Sequence, residues 1–403
     1  MSSENKIDSL AEDIDGFLRD FKKVKKKDRV PKKPWTVGGE ADQDLASIFQ
    51  NFQERISLKP GDPPDPDTGS LIDVVIDNEL SEAQSQSVLS SRSRAQSLPE
   101  EDEMAAPDEP VLSAHHIYER ASAYVAESIK RAGSDQLPDL EEGAELVGQM
   151  IDSMKEQSAL LLIATEKVQP FSLGGHCVNV CILSLRMART LKYSRGRCVQ
   201  IGLTALLHEI GVARVAHQIE SGVGDLQLEF RQRPLYSSDL LEKLGPEYDW
   251  LILAVGQVGE REDGSGYPLG LMGNAIREEA KIVGITDLLE TCIHDRPYRK
   301  GVTSYQLLTE MSQSGKKAFS GAILKALIGT FSVYIYNEYV LLNTGEVGRV
   351  IEVNVQNLLR PRVEILYDVD GQAMDEPKEY DLVEYPSRFI AEALHPDDIS
   401  LSE

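Results

Sequence analysis

Histidine is sparse in this 403-residue chain: there are 7, and none lies between His217 and His294. A centre built on many imidazoles cannot draw them from that stretch. Cysteine is also sparse. The four, Cys177, Cys181, Cys198 and Cys292, form no CxxC pair. That excludes a zinc ribbon or a disulfide framework and leaves them as small apolar side chains. Long apolar runs are missing too. The longest candidate, Ala159–Ala164, falls far short of the roughly 20 residues a helix needs to cross a bilayer, so no transmembrane segment is expected. Positive charge is in deficit, with 42 Lys+Arg against 66 Asp+Glu and a net charge of −24. A phosphate backbone would be repelled, which excludes general nucleic-acid binding. No signal peptide opens the sequence, and a cytoplasmic setting is expected.

Composition divides what is present. Residues 1–110 hold nine of the 19 prolines, a Ser/Gln-rich stretch from Ser81 to Ser97 and the acidic run Glu100–Glu103. Such a segment buries too little apolar surface to offset chain entropy, so a largely disordered tail is expected. Two islands in it have helical periodicity. One is Ile7, Leu10, Ile14, Phe17, Leu18 and Phe21; the other is Leu45, Ile48, Phe49, Phe52 and Ile56. Between them lies a basic run from Lys22 to Lys33, suited to a protein partner or to weak contact with an anionic membrane surface.

From about Ser113 the apolar residues repeat at helical spacing. Helical segments are expected over His115–Ala132, Leu140–Lys155, Ser172–Leu191, Cys198–Leu207, Ser238–Leu244, Tyr248–Val258, Glu278–Thr291, Ser304–Met311 and Gly321–Thr330. Ser172–Leu191 is apolar around much of its circumference and should be central. The fold expected is mostly α: an N-terminal helical segment over 111–165 and a helical core over 166–335. A small antiparallel β module over 336–386 follows, with strands at Tyr339–Leu342, Val347–Val353, Val363–Tyr367 and Asp381–Tyr385. Residues 387–403 read as an acidic tail.

Three features carry chemistry. Leu206-Leu-His-Glu-Ile-Gly211 sets a histidine beside a carboxylate at the end of an apolar segment. Glu260-Arg-Glu-Asp-Gly-Ser-Gly-Tyr-Pro268 is a glycine-rich loop closed by proline. Ile285-Thr-Asp287 is followed by Asp295-Arg-Pro-Tyr-Arg299. In this order and spacing they resemble the HD-GYP family of HD-domain metal phosphohydrolases, over about residues 111–335. Val340-Leu-Leu-Asn-Thr-Gly-Glu-Val-Gly348 looks like a tail found on some members.

The resemblance implies an HD-domain helical bundle holding two or three metal ions that activate water for hydrolysis of cyclic di-GMP. Its first histidine matches His176 and its His-Asp pair matches His208-Glu209, with Glu in place of Asp. Its lone histidine falls at about Arg233, its His-His pair on Val258-Gly259 and its last Asp on Asp287. A glutamate that some relatives carry one turn before the first histidine is Ser172 here, and the family's phosphate-contacting Lys is Val212.

The resemblance therefore leaves His176, His208, Glu209 and Asp287, a set for one divalent ion such as Mn, Fe, Mg or Zn. A second metal is not expected, and Arg233 adds a positive charge where a cation should bind. That guanidinium can instead hold phosphate directly. Arg214, Arg233, Arg261, Arg296 and Arg299 would make the cleft basic. Asp263, Gly266, Tyr267 and Tyr298 complete the ligand-binding set, with the tyrosines either stacking on guanine or simply packing. His115, His116, His217 and His395 belong to no constellation.

The function expected is a bacterial signalling protein with impaired catalysis, binding cyclic di-GMP or docking a protein through its tail or β module. The alternatives are a working mononuclear phosphohydrolase and a purely structural adaptor.

Overall fold

The computed structural model describes residues 113–156, 159–166, 172–214, 226–295, 300–313, 318–354 and 357–399. The expectations for the N-terminal tail and its two helical islands lie outside the described residues.

Ten helices are described: α1 Ala114–Gly133, α2 Leu140–Glu156, α3 Ala159–Ala164, α4 Leu173–Thr190, α5 Arg195–Leu207, α6 Leu226–Leu241, α7 Asp249–Gln257, α8 Glu278–Ile293, α9 Ser304–Gln313 and α10 Gly321–Phe331. The helical bundle expected from the periodicity is present. α4 is its axis. Ser172 starts it, its hydroxyl accepting from the Gly175 amide at 3.0 Å. Residues from Leu173 to Leu185 are buried without a break, and α1, α3, α5, α8 and α10 pack round this one helix. A helix that is apolar on all sides has to sit in the middle. No helix among the described residues is long and apolar enough to cross a membrane.

One helix departs from expectation. Its first eight residues, Leu226-Gln-Leu-Glu-Phe-Arg-Gln-Arg233, have little apolar periodicity, and Pro234 follows. A helix was therefore expected only from Ser238. The helix instead runs through Pro234 from Leu226 to Leu241. The proline removes one N–H from the ladder, and packing on α7 outweighs that loss.

The β module is a five-stranded antiparallel sheet in the order β4-β3-β2-β1-β5. The strands are β1 Tyr339–Leu342, β2 Val347–Glu352, β3 Arg362–Tyr367, β4 Ala373–Asp381 and β5 Ile390–Leu394. Val340, Leu342, Val350, Val363 and Ile365 alternate onto one buried face, where Leu382 and Tyr334 join them. Two expectations are corrected. The fourth strand is Ala373–Asp381 rather than Asp381–Tyr385. The sheet also continues past residue 386, since Ile390–Leu394 pairs with β1 inside the expected acidic tail. β4 and β5 are the sheet's edges. Edge strands tolerate charge and proline, such as Pro377, so they lack the alternation that marks an inner strand.

The module is fastened to the bundle. The Asn337 amide donates to Leu162 O at 2.7 Å, and the fully buried Glu338 carboxylate accepts from the Ser304 hydroxyl at 2.7 Å.

Candidate metal centre

Three helices bring the candidate ligands together. His176 lies in the second turn of α4, His208 caps the end of α5 and Asp287 lies midway along α8. A short turn follows His208. Ser237 on α6 pins it, accepting from the Gly211 amide at 2.8 Å and donating to His208 O at 3.0 Å. Gly211 permits this approach, because a Cβ there would lie 2.4 Å from Arg233 O.

His176 Nε2 is 3.2 Å from Asp287 Oδ1, and His208 Nε2 is 3.9 Å from the same oxygen. One ligand atom from each residue lies within 4.8 Å of the others. The outer nitrogens are already engaged. His176 Nδ1 donates to Glu290 Oε2 at 2.5 Å, and His208 Nδ1 donates to Ala205 O at 2.7 Å. Both Nε2 atoms therefore face the centre. His208 Nε2 is buried without a hydrogen-bond partner. Two oriented imidazoles and a carboxylate, one of them carrying an orphaned nitrogen, fit a divalent metal of nitrogen/oxygen preference.

Burial opposes charging His176, but Glu290 and Asp287 overcome it and push the imidazole up to about 10. Burial likewise opposes charge on His208, and the Cys177 thiol and Glu209 raise it to about 10. Burial would raise the Asp287 carboxyl, yet His176, His208 and Arg233 hold it well below the usual carboxylate range.

Glu209 is not in this group. Burial works against its charge, and Arg233 overrides that. Arg233 Nη2 sits 2.7 Å from Glu209 Oε1. The same oxygen is 3.4 Å from His208 Nε2.

Sequence reasoning missed Glu290 and Asn179. Glu290 follows Asp287 by three residues and so shares its helix face; Asn179 stands in the same relation to His176. Asn179 Nδ2 donates to Glu290 Oε1 at 3.2 Å, and Tyr118 Oη donates to Asn179 Oδ1 at 2.9 Å. The spacing was a signal, but no motif marks it.

The two positions expected to match the family's His-His pair are crowded. Val258 is buried, and a Cβ on Gly259 would lie 2.6 Å from the Tyr267 ring. Tyr267 thus packs where a side chain at position 259 would begin. Val212 is buried and apolar.

The rest of the glycine-rich loop is held by local bonds and by contacts to α8 and the segment before α10: Glu262 pairs with Lys281 at 2.9 Å and accepts from the Ser320 amide. Asp263 Oδ1 accepts from the Ser265 amide at 3.0 Å. Arg261 donates to Val258 O at 3.1 Å and Glu260 O at 2.7 Å, and its guanidinium lies 4.9 Å over the Phe319 ring. A Cβ on Gly266 would press on Arg261 N at 2.2 Å. Arg214 pairs with Asp239. Arg296, Tyr298 and Arg299 lie outside the described residues. Among the described residues, Arg233 is thus the one expected cleft arginine that the structure brings to the centre. His395, assigned to no constellation above, donates from Nε2 to Asp295 Oδ1 at 2.8 Å, and the Gly301 amide donates to the same oxygen at 2.8 Å.

Glu260 ties this loop together, accepting from Leu269 N at 2.7 Å and Leu271 N at 2.8 Å. Burial pushes its carboxyl up to about 7 despite those bonds. A raised carboxyl favours the protonated fold, so stability falls as pH climbs from about 4.5 through about 7, by roughly 3 kcal/mol in all. Chemical denaturation at pH 5 and pH 8 checks this. Glu260→Gln should flatten the difference, and an unchanged slope in that variant counts against the assignment.

A family model described as HD domain matches residues 161–323, and one described as KOW domain associated with HD domain matches residues 339–402. A cyclic di-GMP phosphodiesterase of Pseudomonas aeruginosa is 28% identical over 265 residues, which is 64% of each chain. A cyclic di-GMP phosphodiesterase of Borreliella burgdorferi is 23% identical over 232 residues, 56% of this chain and 61% of that one. The match spans less than two thirds of either relative. A solved HDG"Y"P protein from Bdellovibrio bacteriovorus has 17% identity and a TM-score of 0.43, covering 53% of this chain and 70% of that chain.

Proposed function

Because the chain is a member of the HD-GYP family, we propose that it is a signalling protein that binds cyclic di-GMP over one metal ion and hydrolyses it poorly. The metal is held by His176, His208 and Asp287, and its identity is Mn, Fe, Mg or Zn. The observation that carries this reading is the diversion of Glu209. The carboxylate expected to help bridge two ions is instead 2.7 Å from the Arg233 guanidinium. No histidine between His217 and His294 can supply a second set of imidazoles. Two-metal hydrolysis needs a water held between paired ions, and this centre has donors for one. The β module and the N-terminal tail are the surfaces proposed to contact a protein partner. The setting proposed is the cytoplasm.

A second reading is favoured by the oriented Nε2 atoms of His176 and His208: a working phosphohydrolase on a mononuclear centre. One experiment separates the two. Purified protein is analysed for metal, loaded with Mn or Fe, and incubated with cyclic di-GMP. About one metal per chain, measurable nucleotide binding and no multiple-turnover release of linear dinucleotide are expected. Linear product at enzyme-like turnover would favour the phosphohydrolase and overturn the impaired reading.

A further inference from the structure

We propose that Arg233 is the centre's built-in second cation, so that a phosphodiester or phosphate anion sits between one metal ion and this guanidinium. The inference deepens the functional reading above and rests on it.

Four observations lead there. First, Arg233 pairs with Glu209 at 2.7 Å, and Glu209 directly follows His208, a proposed metal ligand. Second, the pair leaves atoms over. Glu209 Oε2 and Arg233 Nε are both buried without a hydrogen-bond partner. A pair built only for stability would be expected to satisfy both ends, since an unmet buried donor costs as much as a lost hydrogen bond. Third, the Arg233 side chain keeps 15% of its surface exposed, against 3% for Glu209, so of the paired charges the arginine is the one more open to solvent. Fourth, one oxygen joins the two: Glu209 Oε1 lies 2.7 Å from Arg233 Nη2 and 3.4 Å from Nε2 of His208, a proposed metal ligand, so guanidinium and metal would flank the same carboxylate.

In a two-metal centre the second ion fixes a bridging carboxylate and neutralises substrate phosphate. A guanidinium can do both electrostatic tasks, and its planar fork suits phosphate oxygens. It cannot lower the pKa of a bound water as a metal does. The exchange therefore keeps anion binding and forfeits the second ion's share in making a nucleophile. That separation is what a binding protein derived from an enzyme requires.

Inorganic phosphate is the probe, titrated calorimetrically into Mn-loaded and metal-free protein. Arg233→Met alone strands Glu209 as a buried charge and risks misfolding. The double variant Arg233→Met/Glu209→Gln removes both charges and keeps the volume. It is expected to take up Mn as the wild type does and to bind phosphate at least about tenfold more weakly. Where Arg233→Met folds, its Mn affinity should rise, because Glu209 is released toward the metal. Phosphate affinity unchanged in the double variant overturns the proposal while leaving the single-metal reading in place. Wild-type protein that takes up no Mn yet loses phosphate binding on the double substitution sinks the single-metal reading and supports the arginine subsite.

Discussion

His208→Gln should strip the centre of its metal, whereas Glu209→Gln should leave the metal bound. The sequence alone groups both residues as ligands and expects both substitutions to act alike. The geometry separates them. His208 Nε2 is buried, makes no hydrogen bond and is grouped with His176 and Asp287 inside 4.8 Å. Glu209 is oriented by Arg233 and stands outside that group. Removing one of three ligands should weaken metal binding by more than about 100-fold, beyond the 10–100-fold typical of an outer-shell partner. Glu209→Gln should change metal affinity little. Its cost is paid in stability, about 3 kcal/mol, because the largely enclosed Arg233 is left without a matching charge. Glutamine at 208 fills most of the imidazole's volume, so lost metal would not be mistaken for a collapsed core. Elemental analysis after gel filtration reads the first quantity and urea denaturation the second. Full metal occupancy in His208→Gln would sink the centre as described. Metal loss in Glu209→Gln equal to that in His208→Gln would return Glu209 to the ligand set.

The histidines and Asp287 were legible because a motif with fixed order and spacing carries them. Their supports were not. Glu290 holds His176 at 2.5 Å, yet nothing in Asp287-Leu-Leu-Glu290 distinguishes a supporting carboxylate from a solvated one. The distinction depends on which face of α8 packs against α4. The fate of Glu209 was illegible for a related reason. Sequence reasoning placed Arg233 near the missing cation, but only the close approach of α6 over Gly211 turns proximity into a 2.7 Å ion pair. Inner elements announced themselves through burial: α4 is apolar all round, and β1 to β3 contribute the sheet's alternating buried side chains. β4 and β5 did not, since one face of an edge strand's backbone answers to solvent.

The crowding at Gly259 leads to the last expected result: a histidine placed there should damage the fold before it gains a metal. A Cβ on Gly259 meets two ring carbons of Tyr267, at 2.6 and 2.8 Å, and its backbone oxygen at 2.7 Å. The ring could swing aside, but the backbone oxygen is held by the loop that Glu260 clamps at Leu269 and Leu271. Gly259→His should therefore cost about 3 kcal/mol, the upper part of the range for overpacking a core. For a domain of this size that lowers Tm by roughly 5 to 10 °C. Metal content should remain at one ion per chain. Adding Tyr267→Ala removes the ring while leaving the backbone oxygen in place, so it should recover only part of the loss. The guanidinium of Arg233 still opposes a second cation there. A triple variant with Arg233→His as well removes that charge and is where a second ion should first bind. Differential scanning calorimetry and elemental analysis across the series decide the matter. Gly259→His with an unchanged Tm and two metals per chain would mean that position 259 was never crowded, and that the impaired reading lacks its physical basis.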